Sequence, residues 1–353
     1  MRFLGLAWWK WMSIVLFVYV ITRGLLVPLK PGILNINPSR FQVGQSVEFE
    51  IEGYNSFYTK ATPRVFFKIS DQYLCRADSI EVISETKLKI KHLFHNYLPV
   101  NQKIVMASVI VDSEVDGASV MPSKLILSQD SIELEEGIAA WTLDKPAQFN
   151  LKHKYHFPFR NILYETIRNT FFHVSLWFGM FALMFGSLYY SYRVLKYSKP
   201  EDDLRAYSMV YVAVIFGVLG LMTGSLWARF TWDTWWTNDI KLNMAALSML
   251  IYIAYLILRA SIDDPDRRAK ITAAYNVFAV VAIIPLIFVL PRLTDSLHPG
   301  NGGNPAFGSD DMDNALRTVF YPSVTAFILL GFWMADLWKR VCVLDAQDSL
   351  DFD

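Results

Sequence analysis

Eleven tryptophans are spread over 353 residues, and four of them crowd into Trp227-Ala-Arg229-Phe-Thr-Trp232-Asp233-Thr-Trp235-Trp236-Thr-Asn238-Asp239-Ile-Lys241. Trp232, Trp235, Trp236 and Asp239 fall at i, i+3, i+4 and i+7, so a helix there would set all four on one face as an aromatic shelf. Flat indoles bury much area against a large apolar macrocycle and stack on it, which suits a porphyrin at a membrane surface. Two histidines are candidates for the metal of such a ring: His173 in Arg168-Asn-Thr-Phe-Phe-His173-Val, and His298 in Leu297-His298-Pro299-Gly300. Neutral imidazole is a good ligand for haem iron, and two of them on opposite sides of the ring give six-coordinate iron. Haem propionates need cations, preferably Arg, whose fork takes a carboxylate bidentately. Arg168, Arg229, Arg292, Arg317 and Lys241 are candidates for that task. Asp239 would accept a hydrogen bond from a ring nitrogen and fix a ligand's tautomer, or else cap a helix or pair with Lys241. Each residue type also has an ordinary membrane role: Trp gathers at headgroup depth, an interfacial His is a polar anchor, and long cationic side chains snorkel.

The elements that must position these residues are membrane spans. The composition is 53% hydrophobic, too apolar for an ordinary soluble protein. A spanning helix needs roughly 20 mostly apolar residues, and such runs cover residues 9–28, 171–192, 208–228, 242–259, 271–291 and 319–338. The first run has no small-x-small cleavage site and enters through Trp8, Trp9 and Trp11, which reads as an uncleaved anchor. Arg2, Lys10, Arg193, Lys196, Lys199, Arg205, Arg259, Arg267, Arg268, Lys270, Lys339 and Arg340 flank one side, and the short segments opposite hold only Arg229, Lys241, Arg292 and Arg317. By the positive-inside rule both termini are cytoplasmic, and the Trp loop, His173 and His298 face outward.

Between the first two spans lies a polar stretch of residues 30–158 with alternating apolar positions: Val47, Phe49 and Ile51; Leu88 and Ile90; Val105, Ala107, Val109 and Val111. These read as half-buried strands, separated by turn chemistry at Asn37-Pro38, Gly44, Gly53-Tyr54-Asn55, Leu98-Pro99 and Asp116-Gly117. The expected fold is an α-helical membrane protein of six transmembrane helices, with a periplasmic β-sandwich-like domain inserted between helices 1 and 2. Its parts are an anchor at 1–29, the β domain at 30–158, a five-helix core at 159–340 carrying the loop 227–241, and an acidic cytoplasmic tail at 341–353. The run from Ile36-Asn37-Pro38 through Gly44, Gly53 and Asn55 resembles the start of an immunoglobulin-like IPT/TIG module and fits unrelated β families as well.

Basic and acidic residues balance at 33 each, so no overall charge points to nucleic acid. Of two cysteines, Cys75 falls in the outer domain and Cys342 on the inner side, which excludes a disulfide between them. No C-x-x-C-H occurs, so the chain is not itself a c-type cytochrome. His92, His95, His153 and His156 read as surface residues, with no Cys or further His to complete a metal site.

Across residues 165–340 the sequence resembles the CcmC-type haem-handling proteins of cytochrome c maturation, within the wider family defined by a "WWD" loop. The resemblance rests on Thr223-Gly224-Ser225-x-Trp227, Trp232-x-Thr234-Trp235-Trp236-x-x-Asp239-x-Lys241-Leu242, Asp263-Asp264 with Arg267-Arg268, and Leu297-His298-x-Gly300. It implies that His173 and His298 are axial ligands of haem b. Trp227, Trp232, Trp235, Trp236 and Asp239 would form the platform, with Arg168 and Arg229 beside it. Asp233 stands where Gly is common and Asn238 where another Trp precedes the aspartate, so the shelf is smaller and more acidic here. The implied role is haem transfer in the bacterial inner membrane, not enzymatic. The implied partners are a haem chaperone, subunits of an ABC transporter, a small one-span accessory subunit and membrane lipid. The competing readings are a cytochrome c synthetase, which attaches haem covalently, and a receptor whose business end is the β domain.

Overall fold

The structure, a computed structural model, describes residues 2–3, 6–143, 147–150, 155–298 and 312–351. The chain divides into two compact units, Met1–Val27 with Glu165–Asp353, and Pro28–Tyr164.

The first unit is a bundle of six helices, each long and apolar enough to cross a membrane. A two-residue hairpin of β1 (Arg2–Phe3) and β2 (Leu6–Ala7) leads into α1 (Trp8–Leu26). After the inserted unit come α3 (Ser175–Tyr197), α4 (Pro200–Thr231), α5 (Ile240–Ala260), α6 (Pro265–Ile284) and α7 (Asn314–Asp351). Short connections make neighbouring helices antiparallel, so one end of the bundle gathers the start of α3, the end of α4 and the start of α5. Of the helices, α4, α5 and α7 run beyond the apolar stretches seen in the sequence at both ends, whereas α1 stops at Leu26 and α6 at Ile284, short of theirs. The final one continues through most of the expected acidic tail, and residues 352–353 lie outside the described ones.

Polar anchors hold α1 inside this bundle. Buried Lys10 donates to Asp336 of α7 at 2.8 Å, and the Tyr19 hydroxyl donates to the Thr318 carbonyl at 3.1 Å. The Lys10 ammonium also lies 5.2 Å from the Trp9 ring and 5.6 Å from that of Trp333, where an aromatic face is attractive to a cation. At the same end of the bundle Arg193 pairs with Asp202 at 3.0 Å and Arg259 with Asp203 at 2.6 Å. Fully buried Asn276 of α6 donates to Ser187 and Ser191 of α3, at 3.0 and 2.9 Å.

The second unit is a β-sandwich. A four-stranded sheet has the order β3 (Gly32–Asn37), β5 (Ser46–Tyr54), β9 (Lys87–Leu93), β8 (Ser79–Val82). A five-stranded sheet has the order β4 (Arg40–Gln42), β11 (Gly117–Ser128), β10 (Ile104–Ser113), β6 (Arg64–Lys68), β7 (Leu74–Arg76). Among the strands of the described residues only β4 and β11 pair in parallel, and an isolated bridge between Leu29 and Phe157 is parallel too. Both sheets turn apolar residues into one core, with Ile51, Leu88 and Ile90 from the first and Val65, Phe67 and Leu125 from the second. In β5 burial alternates strictly along the strand, the period of a sheet with one wet face. The second half of β10 departs from that pattern. Ile110 and Asp112 are buried along with Val109 and Val111, and the buried Asp112 carboxylate is paired with Arg64 and accepts from Asn150 at 2.8 and 3.0 Å. α2 (Leu134–Trp141) closes the sandwich by burying Trp141 in the core.

One reading of the sequence is corrected here. His92 is not a surface residue: it is 7% exposed, its ring 4.4 Å from that of Phe94 and 5.3 Å from that of Phe67. It points inward with the apolar set of β9 because a strand's side chains alternate and Leu88 and Ile90 share its parity. Its Nε2 lies 3.6 Å from Cys75 Sγ and its Nδ1 3.2 Å from Asp78. His95 is exposed and His156 half-buried, and His153 lies outside the described residues. Both cysteines are free.

Candidate functional site

His173 sits on a π-helical turn, Thr170–Val174, that opens α3. Such a turn carries one extra residue and is stable only where something else satisfies the loosened ladder; here the Ser323 hydroxyl of α7 donates to the Phe171 carbonyl. The turn is tied to α4 by Asn169, which donates to the Thr223 carbonyl at 3.1 Å. The His173 Nδ1 lies 3.0 Å from the Gly220 carbonyl and 3.1 Å from the Thr223 hydroxyl. A carbonyl only accepts, so Nδ1 carries the proton and Nε2 keeps its lone pair. Gly224 lets the ring lie against α4, since a Cβ there would stand 2.7 Å from His173 Cε1. Gly220, Thr223, Gly224 and Trp227 are spaced i, i+3, i+4, i+7, one face of α4. Thr223, Gly224 and Trp227 stand out in the sequence as a motif, whereas their role in seating His173 is visible only in the packing.

His298 is positioned by different means. Its ring lies 5.0 Å from that of Trp232 and 5.9 Å from that of Trp227, and the two indoles meet edge to face at 4.9 Å. Asp239, 5% exposed, holds the segment in place: its carboxylate accepts from the Leu297 amide at 2.8 Å and caps α5 by accepting from the Lys241 amide at 2.9 Å. The His298 Nδ1 lies 3.3 Å from Asp239 Oδ1. Burial pushes the Asp239 carboxyl up, but the Leu297 amide, the Ser296 hydroxyl and the charge of His298 together hold it below the ordinary range. Burial, helped by Lys241, pulls the His298 imidazole down against the opposing pull of Asp239, which favours the neutral ligand form. Pro299 and Gly300 of the motif lie outside the described residues.

The loop between α4 and α5 is not the helix its spacing predicted. α4 ends at Thr231, Asp233 takes a left-handed backbone with φ 58°, and residues 232–239 are irregular up to the Asp239 cap. Two helix ends fall inside eight residues, which leaves no length for another helix. Trp232 therefore turns toward Trp227 and His298, whereas Trp235 and Trp236 are 58% and 41% exposed. The loop is braced by the Ser225 hydroxyl donating to the Trp235 carbonyl at 2.8 Å and by Asn243 donating to Asn238 at 2.7 Å.

The cations divide. Arg168 donates to the Gly24 carbonyl at 2.7 Å and pairs with Glu165, and Arg229 pairs with Asp233. Both hold the local fold. The Arg317 Nε is buried without a hydrogen-bond partner among the described residues.

The family model for heme exporter protein C matches residues 161–349, more than half of the chain. The chain belongs to that family. Among relatives, the heme exporter protein C of Bradyrhizobium diazoefficiens is 28% identical over 170 residues, 47% of this chain and 62% of that protein. The protein of the same name from Escherichia coli (strain K12) is 26% identical over 142 residues, 40% of this chain and 56% of its own. A cytochrome c biogenesis protein CcsA of Prochlorococcus marinus subsp. pastoris is 36% identical over 88 residues, 25% of this chain and 28% of that one. The chain spans less than two thirds of the length of these curated relatives. The heme exporter match takes in every element of the site just described and begins after the β-sandwich.

Proposed function

We propose that this chain binds haem b between His173 and His298, at the outer face of the bacterial cytoplasmic membrane, and hands it on for cytochrome c assembly. One observation carries the reading: the His173 Nδ1 is held by the Gly220 carbonyl, and the His298 Nδ1, though not hydrogen-bonded among the described residues, lies 3.3 Å from the Asp239 carboxylate, an arrangement that favours Nε2 of each ring as the donor to a metal. Haem iron offers two axial positions that neutral imidazole fills. The donor set therefore suits haem, and Trp227 and Trp232 supply apolar faces next to His298. Arg317, whose Nε has no hydrogen-bond partner among the described residues, suits the propionates better than Arg168 or Arg229, whose guanidinium groups already serve the fold. Trp235 and Trp236, exposed on the loop, suit contact with a haem edge or with the partner that takes it.

The orientation follows from the Lys and Arg bias, with both termini cytoplasmic and the histidines periplasmic. Partners by this reading are a haem chaperone, ABC transporter subunits and a small one-span subunit. The chain is a carrier rather than an enzyme. The test is the absorption spectrum of the full chain in detergent, wild type against His173→Ala with His298→Ala. Copurified haem with a sharp low-spin spectrum, lost or high-spin in the double variant, is expected. A wild type that takes up no hemin, or a variant with an unchanged spectrum, refutes the assignment.

A further inference from the structure

The helix ends opposite the histidines enclose a second space. A cavity of about 740 Å³ opens among the last turn of α3, the first turns of α4 and α6, the end of α5 and the far part of α7. α4 carries both sites, from Lys199 at its cap to Trp232 at its other end, roughly 50 Å at 1.5 Å per residue. The cavity is therefore separate from the haem site.

Its walls are of two kinds. Toward the middle of the bundle stand Tyr207, Tyr211 and Leu256, with Leu204 nearer the helix ends. At the rim six charged residues line it, and two of them neutralise each other: Arg259 grips Asp203 through two hydrogen bonds of 2.8 and 2.6 Å and lies 4.4 Å from the centre of the Tyr207 ring. Lys199, Arg268 and Lys270 remain against Asp266 alone. The Arg268 Nε is buried with no hydrogen-bond partner among the described residues, which is costly for a guanidinium unless an acceptor arrives. The rim falls where the apolar helices end, at Ser198–Pro200 and Ala260–Pro265, the depth of lipid headgroups. An excess of cations above an apolar wall at that depth matches a molecule with an anionic head and a hydrocarbon tail.

We propose that this cavity is a binding site for an anionic phospholipid, whose phosphate is taken by Arg268 and Lys270 and whose acyl chains lie along Leu204, Tyr211 and Leu256. Free phosphate shares the head chemistry but would leave the apolar wall uncovered. The test is native mass spectrometry of the delipidated full chain, with dioleoylphosphatidylglycerol, dioleoylphosphatidylcholine or excess inorganic phosphate added. One phosphatidylglycerol is expected to stay bound under conditions that strip phosphatidylcholine. Arg268→Gln with Lys270→Gln is expected to weaken retention by roughly thirtyfold, each cation near the surface contributing about fivefold. Ala346→Trp, which fills the cavity without touching charge, is expected to weaken it as well, and circular dichroism checks that both variants are folded. Equal retention of the two lipids, retention unchanged in both variants, or displacement of the lipid by inorganic phosphate would each overturn the proposal.

Discussion

Asp239→Ala is the most informative single change, because one carboxylate does three things. It caps α5 through the Lys241 amide, holds the Leu297 amide, and faces the His298 Nδ1 at 3.3 Å. Loss of the cap costs about 1 kcal/mol, and leaving the Leu297 amide without its acceptor costs about 1–3 kcal/mol more. Together these lower thermal stability by about 2–4 kcal/mol. The orienting role is separate, since loss of an outer partner of a metal-binding histidine typically costs 10- to 100-fold in metal affinity, an order-of-magnitude figure. Hemin titration of the full chain in detergent, followed in the Soret band, reads that affinity, and a melt of the same sample reads stability. Asp239→Asn separates the two: asparagine caps a helix about as well but offers His298 no charge. The expected order of affinity is wild type, then Asn, then Ala, with Asn melting between wild type and Ala, because its one amide oxygen cannot accept from both the Lys241 and the Leu297 amides, which the two carboxylate oxygens serve separately. An Ala variant that melts early yet binds hemin with wild-type affinity and an unchanged low-spin spectrum would reduce Asp239 to a cap and refute the reasoning.

Three further predictions rest on packing and titration. Gly224→Ala places a methyl 2.7 Å from the His173 ring, and overpacking of this kind costs about 1–3 kcal/mol; the hemin spectrum should turn high-spin as the imidazole is displaced, and an unchanged spectrum would show that the ring is free to move. In the β-sandwich, burial lowers the pKa of His92 against the opposing effect of Asp78. Between its folded value and the ordinary histidine value the unfolded chain binds more protons, so the stabilisation is present above about pH 6.5 and is lost as pH falls below it. Protection of β9 amides, corrected for intrinsic exchange, should fall on acidification in the wild type and stay flatter in His92→Leu. Equal slopes would sink that assignment. Burial pushes the neighbouring Cys75 thiol far up, so maleimide at neutral pH should spare it until the sandwich unfolds.

Local properties settled the class of this protein. Six apolar runs of spanning length need no tertiary information to be read, because the cost of polar backbone in lipid forces them into helices. The alternation at Val47, Phe49 and Ile51 placed β5 for the same kind of reason, since one wet face imposes a period of two. Composition also singled out the residues of the candidate site, Trp227, Trp232, His173, His298 and Asp239. It misjudged how they meet. The i, i+3, i+4, i+7 spacing of Trp232 through Asp239 imitates a helical face, but the left-handed backbone at Asp233 and the cap at Asp239 break the period.

Only the tertiary structure decided which partners lie together. Asp239 and Leu297 are 58 positions apart, and Lys10 and Asp336 are 326 apart. No local pattern couples such pairs. Periodicity reports which face of an element is apolar, whereas the neighbour a polar group finds on that face depends on how whole helices pack. His92, unremarkable in its own strand, is buried because a second sheet covers it. The rim of Arg268, Lys270 and Lys199 is likewise one surface only because α4 and α6 begin side by side.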